Sequence, residues 1–394
     1  MQFRAKPFFF CDKWYVRLVM LRIGIQLDMV GAYGRDVLRG IMQYANRAGN
    51  WEFVMPPMYS IERKKAVSPK AVDGIVAMIH DQRSIRPFRR AGVPVLNVAH
   101  TLDYNVLTHL HLPSVLPDDV AIGRLGYDYF RDRGFRNFGF CGHPTAAWSR
   151  TREHGFEIAA REAGHECFKV HVADDVPVDW ITTVPVPAAI MAANDRYAWH
   201  AVDACRNAGL RVPENVAVLG CDNDLMLVDM VRPSLSSIKP AAFSVGYEAG
   251  RILAELMQGG RISPEPHLIQ PEGIVTRHST DVLVIEDETV AAAARFIREN
   301  AARPIGVEDV LEEVAAGRRT LERRFREEMG RSLLDEIRRV RIERAMQLLR
   351  DTSMDMPTIA EKCGFSSQAR FATVFRKESG GTPTAYRKRV RGGR

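Results

Sequence analysis

The sequence of 394 residues lacks any long hydrophobic run. A membrane-spanning helix needs about 18 or more consecutive apolar residues, and no stretch of this chain reaches that length. The hydrophobic fraction is 46%, which is ordinary for a globular protein and sufficient for a buried core. We therefore expect a chain that binds no membrane and folds into two or three globular domains.

Cysteine is scarce, and its spacing excludes the common metal-binding modules. No CxxC pair occurs, and the cysteines are too far apart for a zinc site. Isolated cysteines of this kind are usually small buried side chains in a reducing compartment. The sequence thus predicts no metal site and a cytoplasmic location. The six cysteines are Cys11, Cys141, Cys167, Cys205, Cys221 and Cys363.

The sequence motifs of several enzyme classes are also missing. The chain contains no GxGxxG, Walker A, GxSxG or HExxH pattern. We therefore expect no catalytic residue and no cofactor. The alternative to a binding protein without catalytic activity is an enzyme that uses a cleft in the front part of the chain.

The first 20 residues do not have the pattern of a secretory signal. Asp12, Lys13 and Arg17 interrupt the apolar region that such a signal requires. We interpret residues 1–20 as an N-terminal extension, with Met20 as an alternative start. A transporter's solute-binding protein, which needs a signal peptide, is therefore the less favoured alternative.

Positive charge is concentrated at the end of the chain. Residues 315–394 contain 20 Lys and Arg against 10 Asp and Glu, whereas the net charge of the whole chain is +7. The rest of the chain therefore carries a net charge of −3. A basic block on a nearly neutral body predicts that the block alone binds phosphates, as a DNA-binding domain does.

The basic block contains two patterns of a helix, a turn and a second helix, at Val307–Met329 and Met356–Glu378. In the first, Ala316 and Gly317 form the turn, and Leu321 and Phe325 are spaced for one buried helix face. In the second, Gly364 forms the turn and Phe371 and Phe375 repeat that spacing. A helix over Ser332–Arg350 joins the units, with Leu334, Ile337, Ile342, Ala345, Leu348 and Leu349 predicted on its buried side.

The paired units resemble the AraC family of transcription activators. The resemblance covers about Val290–Arg389 and includes Gly364–Phe365 and the closing Gly381-Thr382-Pro383 with Tyr386-Arg387. The alternative is a small helical bundle with a charged, solvated face. The resemblance implies an all-α domain over 290–394 whose two second helices enter the major groove of double-stranded DNA. The side chains expected to contact DNA are Arg318, Arg319, Glu322, Arg323, Gln368, Ala369, Arg370 and Thr373.

Two positions depart from the family pattern. Gly317 stands where the first recognition helix usually begins with a Ser or Thr, and Thr373 stands where the second usually has an Arg. A glycine cap costs only a few tenths of a kcal/mol, so the helix should still form. The change at Thr373 weakens the expected second contact, for which Arg370 or Arg376 can compensate by binding phosphate.

The front of the chain, residues 21–280, alternates short β-runs with amphipathic helices. This alternation predicts parallel sheets covered on both faces. The number of strands predicts two doubly wound sheets and hence an α/β domain of two lobes, the first over about 21–136 and 243–280 and the second over about 137–242. A linker over 281–289 follows. The predicted strands are Leu21–Gln26, Glu52–Val54, Gly74–Ala77, Val95–Val98, Phe138–Cys141, Ala188–Ala192, Val216–Cys221 and Ser236–Ile238.

Polar side chains follow several of these strands. In doubly wound sheets, ligands bind at the carboxyl ends of the strands, so these side chains should meet in the cleft between the lobes. Carboxylates, an amide, an Arg and a Trp suit a sugar, whose hydroxyls need hydrogen bonds and whose apolar face an aromatic ring covers. The alternative is that each Asp or Asn only caps a helix. The expected effector-binding residues are Asp28, Trp148, Arg152, Asn194, Asp195 and Asp222.

The front domain resembles lactose-repressor-type regulators and periplasmic sugar-binding proteins. The resemblance is carried by AANDRYA, VAVLGCDND, Pro233–Ile238 and Pro271–Thr280. It implies that Arg152, Asn194 and Asp222 contact the effector. The chain as a whole is also similar to regulators of xylose operons. This resemblance is carried by the order of the two domains and by the segments AYGRDV at Ala32–Val37, WSRTRE at Trp148–Glu153 and AAND at Ala192–Asp195.

These resemblances imply a transcription regulator, controlled by a small sugar in the interlobe cleft. The expected partners are a double-stranded DNA operator, the sugar, RNA polymerase and a second copy of the chain. A different sugar or a non-sugar effector is the alternative for the ligand.

Overall fold

The computed structural model describes residues 20–55, 68–80, 92–263, 265–282, 284–285 and 287–391. The predicted N-terminal extension therefore lies outside the described residues, except for Met20. None of the described helices is both long enough and apolar enough to cross a bilayer. The chain forms a two-lobed α/β domain followed by an all-helical domain, so the predicted fold class is confirmed.

The first lobe is built on short parallel strands, with helices packed against them. Its main sheet contains Trp51–Val54, Leu21–Gln26, Gly74–Ala77 and Val95–Asn97 in that order, and Val115–Pro117 pairs with His267–Ile269 beside it. The elements up to this point are β1 Leu21–Gln26, α1 Ala32–Ala48, β2 Trp51–Val54, β3 Gly74–Ala77, β4 Val95–Asn97, α2 Tyr104–His109 and β5 Val115–Pro117. The chain returns to this lobe later with helix 242–257 and strand 267–269.

The second lobe contains a six-stranded sheet of order β12-β10-β9-β8-β6-β7, in which β12 is antiparallel to β10. Its elements are α3 Asp119–Arg131, β6 Asn137–Gly142, α4 Ala147–Glu162, β7 Cys167–His171, α5 Val178–Ile181, β8 Ala188–Ala192, α6 Asp195–Asn207, β9 Val216–Cys221, α7 Leu225–Met230 and β10 Ser236–Lys239. Helix α8 Ala242–Met257 and strand β11 His267–Ile269 belong to the first lobe, as predicted. Strand β12 Gly273–Val275 pairs with β10 and belongs to the second lobe, although the predicted division placed residues 243–280 in the first.

Helix α3 lies in the second lobe, although the predicted division at residue 136 placed it in the first. Ile122, Tyr127 and Phe130 of this helix are buried in the core of the second lobe. The strand before α3 belongs to the first lobe, so the chain crosses between the lobes near Pro117. The crossing was not expected because β5 is only three residues long.

The helical domain contains two small hydrophobic cores. Helices α9 Glu288–Asn300, α10 Val307–Glu313 and α11 Arg318–Met329 enclose the first core, and α13 Met356–Lys362, α14 Gln368–Ser379 and α15 Pro383–Arg391 enclose the second. Helix α12 Leu333–Asp351 contributes side chains to both cores. The two predicted helix-turn-helix units are thus both present, and one continuous helix, α12, connects them.

Two details of this domain differ from the sequence expectations. Leu334 was expected on the buried side of α12, but it is 41% exposed and its neighbour Leu333 is buried instead. Helix α9 begins at Glu288, inside the segment predicted as a linker. Asp287 caps this helix, because its carboxylate accepts hydrogen bonds from the amides of Thr289 and Val290.

Candidate effector cavity and DNA-binding helices

A cavity of about 240 Å³ lies between the two lobes. The first lobe contributes Asp28, Tyr33, His80 and His100 to its lining. The second lobe contributes Asp119, Trp148, Arg152, Asn194 and Asp222. Five of the six expected effector residues therefore line one cavity, because the carboxyl ends of both sheets face it.

Arg152 and Asp119 form a buried ion pair in this cavity. The Nε of Arg152 donates to Oδ1 of Asp119 over 2.7 Å, and its Nη1 donates to the Ala193 carbonyl over 2.6 Å. Helix α4 can hold Arg152 this close to α3 because Gly155 lies at the helix crossing. A Cβ atom there would be 2.1 Å from the Val120 carbonyl oxygen.

Asp222 faces the same guanidinium from the end of β9. Its Oδ1 is 3.5 Å from Nη1 of Arg152, and its side chain is 22% exposed. Burial raises the pKa of Asp222 to about 6, the positive charge of Arg152 opposes this shift, and the negative charge of Asp119 adds to it. Its backbone has φ of +103°, an unfavourable conformation for a residue with a side chain, and such strain is typical of ligand-binding positions.

Trp148 and Asn194 complete the wall on the second lobe. The Trp148 ring lines the cavity. The guanidinium carbon of Arg152 lies 5.2 Å from the centre of this ring. Asn194 caps α6, because its Oδ1 accepts from the Tyr197 amide over 3.1 Å. Asn194 therefore caps a helix and also lines the cavity, so the predicted ligand contact and the alternative role as a helix cap are compatible.

The expectation for Asp195 differs from the structure. This residue does not line the cavity. It is 1% exposed and accepts hydrogen bonds from the Ser237 hydroxyl over 2.5 Å and from the Asp224 amide over 2.7 Å. Asn194 is the extended N-cap residue and Asp195 is the first residue of α6, and the side chain of Asp195 turns into the core while Asn194 lines the cavity. Asp195 instead joins α6 to the loops that follow β9 and β10.

The cavity lining also includes polar residues that were not expected from the sequence, among them Asp119, His100 and Tyr33. Asp119 follows β5, and its buried Oδ2 lies 2.6 Å from Nδ1 of His100. His100 itself comes three residues after the end of β4. Tyr33 donates its hydroxyl hydrogen to the Val98 carbonyl. A polar residue after a strand could have indicated His100 and Asp119. However, β5, which precedes Asp119, is three residues long and too short to predict from the hydrophobic pattern.

The two lobes are joined on both sides of the cavity. On one side, Nη2 of Arg35 in α1 lies 3.1 Å from Oδ2 of Asp224, which caps α7. On the other, the Trp148 amide donates to the His100 carbonyl over 2.9 Å, and Arg150 pairs with Asp103 over 2.9 Å. These contacts hold the lobes against each other around the cavity.

Helix α11, the second helix of the first unit, presents its polar side to solvent. Arg318, Arg319 and Arg323 are exposed and Glu322 is half-buried, while Leu321 is fully buried. Arg318 pairs with Glu322 over 3.1 Å, and Arg323 pairs with Glu327 over 2.8 Å. Gly317 precedes the helix and makes no side-chain cap, as expected.

Helix α14 occupies the same position in the second unit. Its predicted DNA-contacting residues, Gln368, Ala369, Arg370 and Thr373, are all exposed. The Ser367 hydroxyl caps the helix by accepting from the Arg370 amide over 3.2 Å. The Thr373 hydroxyl donates to the Ala369 carbonyl over 3.0 Å, so its oxygen still has a free acceptor position toward solvent.

The helical domain contacts the second lobe at the end of α3. Arg133 extends to Glu343 of α12 over 3.3 Å, and its guanidinium stacks on the Tyr129 ring at 3.4 Å. Arg331 donates to the Asp132 carbonyl over 2.5 Å and pairs with the Asp132 carboxylate over 3.2 Å. We refer to these four charged residues, Asp132, Arg133, Arg331 and Glu343, as the junction.

A buried carboxylate supports the junction from within α12. Glu336 is fully buried and accepts from Arg331 over 2.6 Å and from Arg339 over 2.8 Å. Burial alone would raise the pKa of Glu336, but the hydrogen bonds and positive charges of Arg339 and Arg331 hold it at about 2. Glu336 therefore stays ionised and fixes the Arg331 side chain that contacts Asp132.

Comparison with known protein families assigns both parts of the chain. Residues 127–280 match the model of a periplasmic binding protein-like domain, and residues 310–389 match the model of a helix-turn-helix domain. The two matched ranges place the binding-protein-like domain before the helix-turn-helix domain in the chain.

Three relatives are similar to this chain over nearly its whole length. The xylose operon regulatory protein of Haemophilus influenzae is 28% identical over 381 residues, which are 93% of this chain and 98% of that protein. The protein of the same name from Escherichia coli K12 is 27% identical, over 93% of this chain and 96% of its own length. A solved structure described as the xylose-binding transcription activator xylR has 26% identity and a TM-score of 0.60, covering 94% of this chain and 98% of that one.

Proposed function

We propose that this chain, a DNA-binding transcription regulator that joins a periplasmic-binding-protein-like effector domain to an AraC-type helix-turn-helix domain, activates an operon in response to D-xylose. The observation that carries the proposal is the single chain's combination of a polar interlobe cavity with two exposed basic recognition helices. The names of the full-length relatives supply the sugar.

The chemistry of the cavity supports a small polyhydroxylated effector. Asp28 and Asp222 offer acceptors for hydroxyl hydrogens, and Arg152 and Asn194 offer donors for hydroxyl oxygens. The Trp148 ring offers an apolar surface for the face of a sugar ring. Because residues from both lobes line the cavity, a sugar that contacts both would stabilise the closed arrangement of the lobes.

The arrangement of α11 and α14 supports binding to two successive segments of the major groove. Arg319 and Arg323 would reach base edges or phosphates from α11, and Gln368 and Arg370 would do so from α14. The ion pairs of Arg318 and Arg323 with carboxylates on the same helix would rearrange on binding DNA. We expect a homodimer to present four recognition helices to a paired operator and to recruit RNA polymerase in the cytoplasm.

The junction supports a direct route for the sugar signal. Helix α3 carries Asp119 of the cavity at its first residue, and its carboxyl end leads directly to Asp132 and Arg133. A helix of 13 residues spans about 20 Å and is stiff over that length. We therefore place the coupling in this helix and the junction, as well as in the linker that precedes α9.

The proposal predicts that sugar and operator affinities depend on each other. D-xylose should be titrated calorimetrically into the full-length protein with and without operator DNA, alongside L-arabinose, D-ribose and D-glucose. A coupling of about 1–3 kcal/mol is typical of allosteric proteins, and it must be equal in both directions. Absence of binding to every sugar would overturn the effector assignment. Equal D-xylose affinities in the two titrations would instead overturn the coupling alone.

A further inference from the structure

His100 occupies an unusual position in the effector cavity. It is 4% exposed, and its ring stacks on the Tyr104 ring with a centre-to-centre distance of 4.2 Å and an angle of 5°. Its Nδ1 lies 2.6 Å from Oδ2 of Asp119. Stacking and this hydrogen bond fix both the plane and the rotation of the ring.

The second ring nitrogen has no such partner. Nε2 of His100 is buried and makes no hydrogen bond with any residue that the structure describes. Buried polar atoms are nearly always hydrogen-bonded, and leaving one unsatisfied is unfavourable. His100 lines the cavity, so a bound molecule is the natural source of the missing partner.

The neighbours of His100 indicate which hydrogen bond Nε2 can make. Asp119 is a carboxylate whose other oxygen already accepts from Arg152, so Oδ2 accepts and Nδ1 of His100 donates. The proposal requires the neutral ring, in which Nε2 then carries the lone pair and can only accept. A hydroxyl group of a sugar is a suitable donor, whereas a carbonyl or carboxylate oxygen is not.

His100 also belongs to the contact between the lobes. It follows a strand of the first lobe, but its carbonyl accepts from the Trp148 amide and its ring contacts Asp119, both in the second lobe. A ligand held by Nε2 would therefore be bound at a residue that already joins the two lobes.

We propose that His100 is a specificity-determining residue of the effector site, and that its Nε2 accepts a hydrogen bond from one hydroxyl group of the bound sugar. Asp119 acts as the positioning residue, since it orients the ring and selects the tautomer. This inference rests on the proposed sugar-binding function and adds a contact to that same cavity.

Two substitutions separate ligand contact from ring positioning. Asn at position 100 has an amide nitrogen near the place of Nδ1 and no atom near Nε2, whereas Gln has an amide oxygen near Nε2. The probe is D-xylose, titrated into full-length His100→Asn, His100→Gln and the wild type. His109→Asn is the matched control, because His109 is an exposed histidine of the same lobe outside the cavity.

If Nε2 contacts the sugar, His100→Asn should weaken D-xylose binding by about tenfold or more, as expected for one lost hydrogen bond. His100→Gln should retain more of the affinity than His100→Asn, and His109→Asn should bind like the wild type. Among the monodeoxy derivatives of D-xylose, one should bind the wild type and His100→Asn equally, because it lacks the hydroxyl that Nε2 contacts.

Other outcomes would overturn the inference. Full affinity in His100→Asn with a loss in His100→Gln would show that only the Asp119 contact matters. Equal sensitivity of every deoxy sugar to His100→Asn would show a general effect on the cavity. Thermal melting without sugar identifies any variant that fails to fold, and His100→Phe, which retains the stacking on Tyr104, then replaces it. A wild type that binds none of the sugars would contradict the proposed function itself.

Discussion

The guanidinium group of Arg133 lies 3.3 Å from the carboxylate of Glu343, although the two residues are 210 positions apart in the sequence. Arg133 follows helix α3 of the effector domain, and Glu343 lies in helix α12 of the DNA-binding domain. Arg133 is buried and Glu343 is one-third exposed, so removing Glu343 leaves a buried positive charge without this partner. The contact therefore favours one orientation of the two domains.

Replacing Glu343 by Gln should therefore reduce coupling between the domains. Mutations along a coupled contact typically change the coupling by about 0.5–2 kcal/mol. We expect D-xylose affinity without DNA and operator affinity without sugar to stay near the wild-type values, while the effect of each ligand on the other decreases. Glu162→Gln is the matched control, because Glu162 makes an exposed pair with Arg124 of the same helix α3. Unchanged coupling in Glu343→Gln would exclude the Arg133–Glu343 contact as the route.

The affinity for D-xylose should depend on pH through Asp222. Its pKa is raised to about 6 by burial, against the opposing charge of Arg152. The ionised carboxylate accepts hydroxyl hydrogens, so binding should weaken as the pH falls through 6. Asp222→Asn should bind more weakly at pH 7.5, by about 1–3 kcal/mol, and should lose this pH dependence.

Asn is preferred to Ala at this position because it tolerates the positive φ of Asp222 better. The variant should still bind operator DNA. Loss of operator binding together with sugar binding would identify Asp222 as a structural residue, and a wild-type titration that is flat between pH 5 and 7.5 would contradict the role of its carboxylate.

Recognition of the operator should depend on single arginines of α11. If Arg323 binds a guanine in two places, Arg323→Ala should cost about 1–3 kcal/mol and relax the preference at one base pair. Arg319→Ala tests the neighbouring position. Arg295→Ala, which removes an exposed positive charge from α9, is the control and should leave base preference unchanged. Uniform weakening on all sequences would show that Arg323 binds phosphate instead.

The stability of the protein should depend on Glu336 at neutral pH but not in strong acid. Its pKa of about 2 lies below the ordinary value of 4.5, so its ionised form stabilises the folded state above pH 4.5, and this contribution is lost as the pH falls toward 2. The shift corresponds to roughly 3 kcal/mol.

Denaturant unfolding of Glu336→Gln and the wild type checks this expectation. The variant should be less stable at pH 7, and the difference should shrink as the pH is lowered below 4.5. Glu327→Gln, which removes an exposed partner of Arg323, should change stability by less than about 1 kcal/mol. A difference that stays constant with pH would mean that the packing of Glu336 matters rather than its charge.

The sequence correctly predicted which residues line the cavity where their position depends only on the end of a strand. Asp28, Asn194 and Asp222 meet because parallel strands end at one edge of each sheet, a property that alternation of β and α already implies. The same reasoning failed for Asp195, because the chain enters α6 at this residue and turns its side chain from the cavity into the core. His100 and Asp119 were missed because their pairing depends on how two lobes face each other.

The helix-turn-helix units were predictable for a different reason. Their turns, caps and apolar spacing are local, so Leu321, Phe325, Phe371 and Phe375 could be assigned to buried faces before the structure was known. Leu334 shows the limit of this approach. Leu333 lies four residues before Ile337 and Leu334 lies three residues before it, and both spacings fit one helix face. Packing against the first core selected Leu333.

The junction has a consequence for exchanging parts between regulators. The peptide segment before α9 can be cut and rejoined, but a foreign helix-turn-helix domain would not bring the residues that match Asp132 and Arg133. A hybrid built in this way could still bind both its ligands and yet fail to respond. To keep its response, a transplanted effector domain would have to be combined with a helix-turn-helix domain that retains Arg331, Glu336 and Glu343.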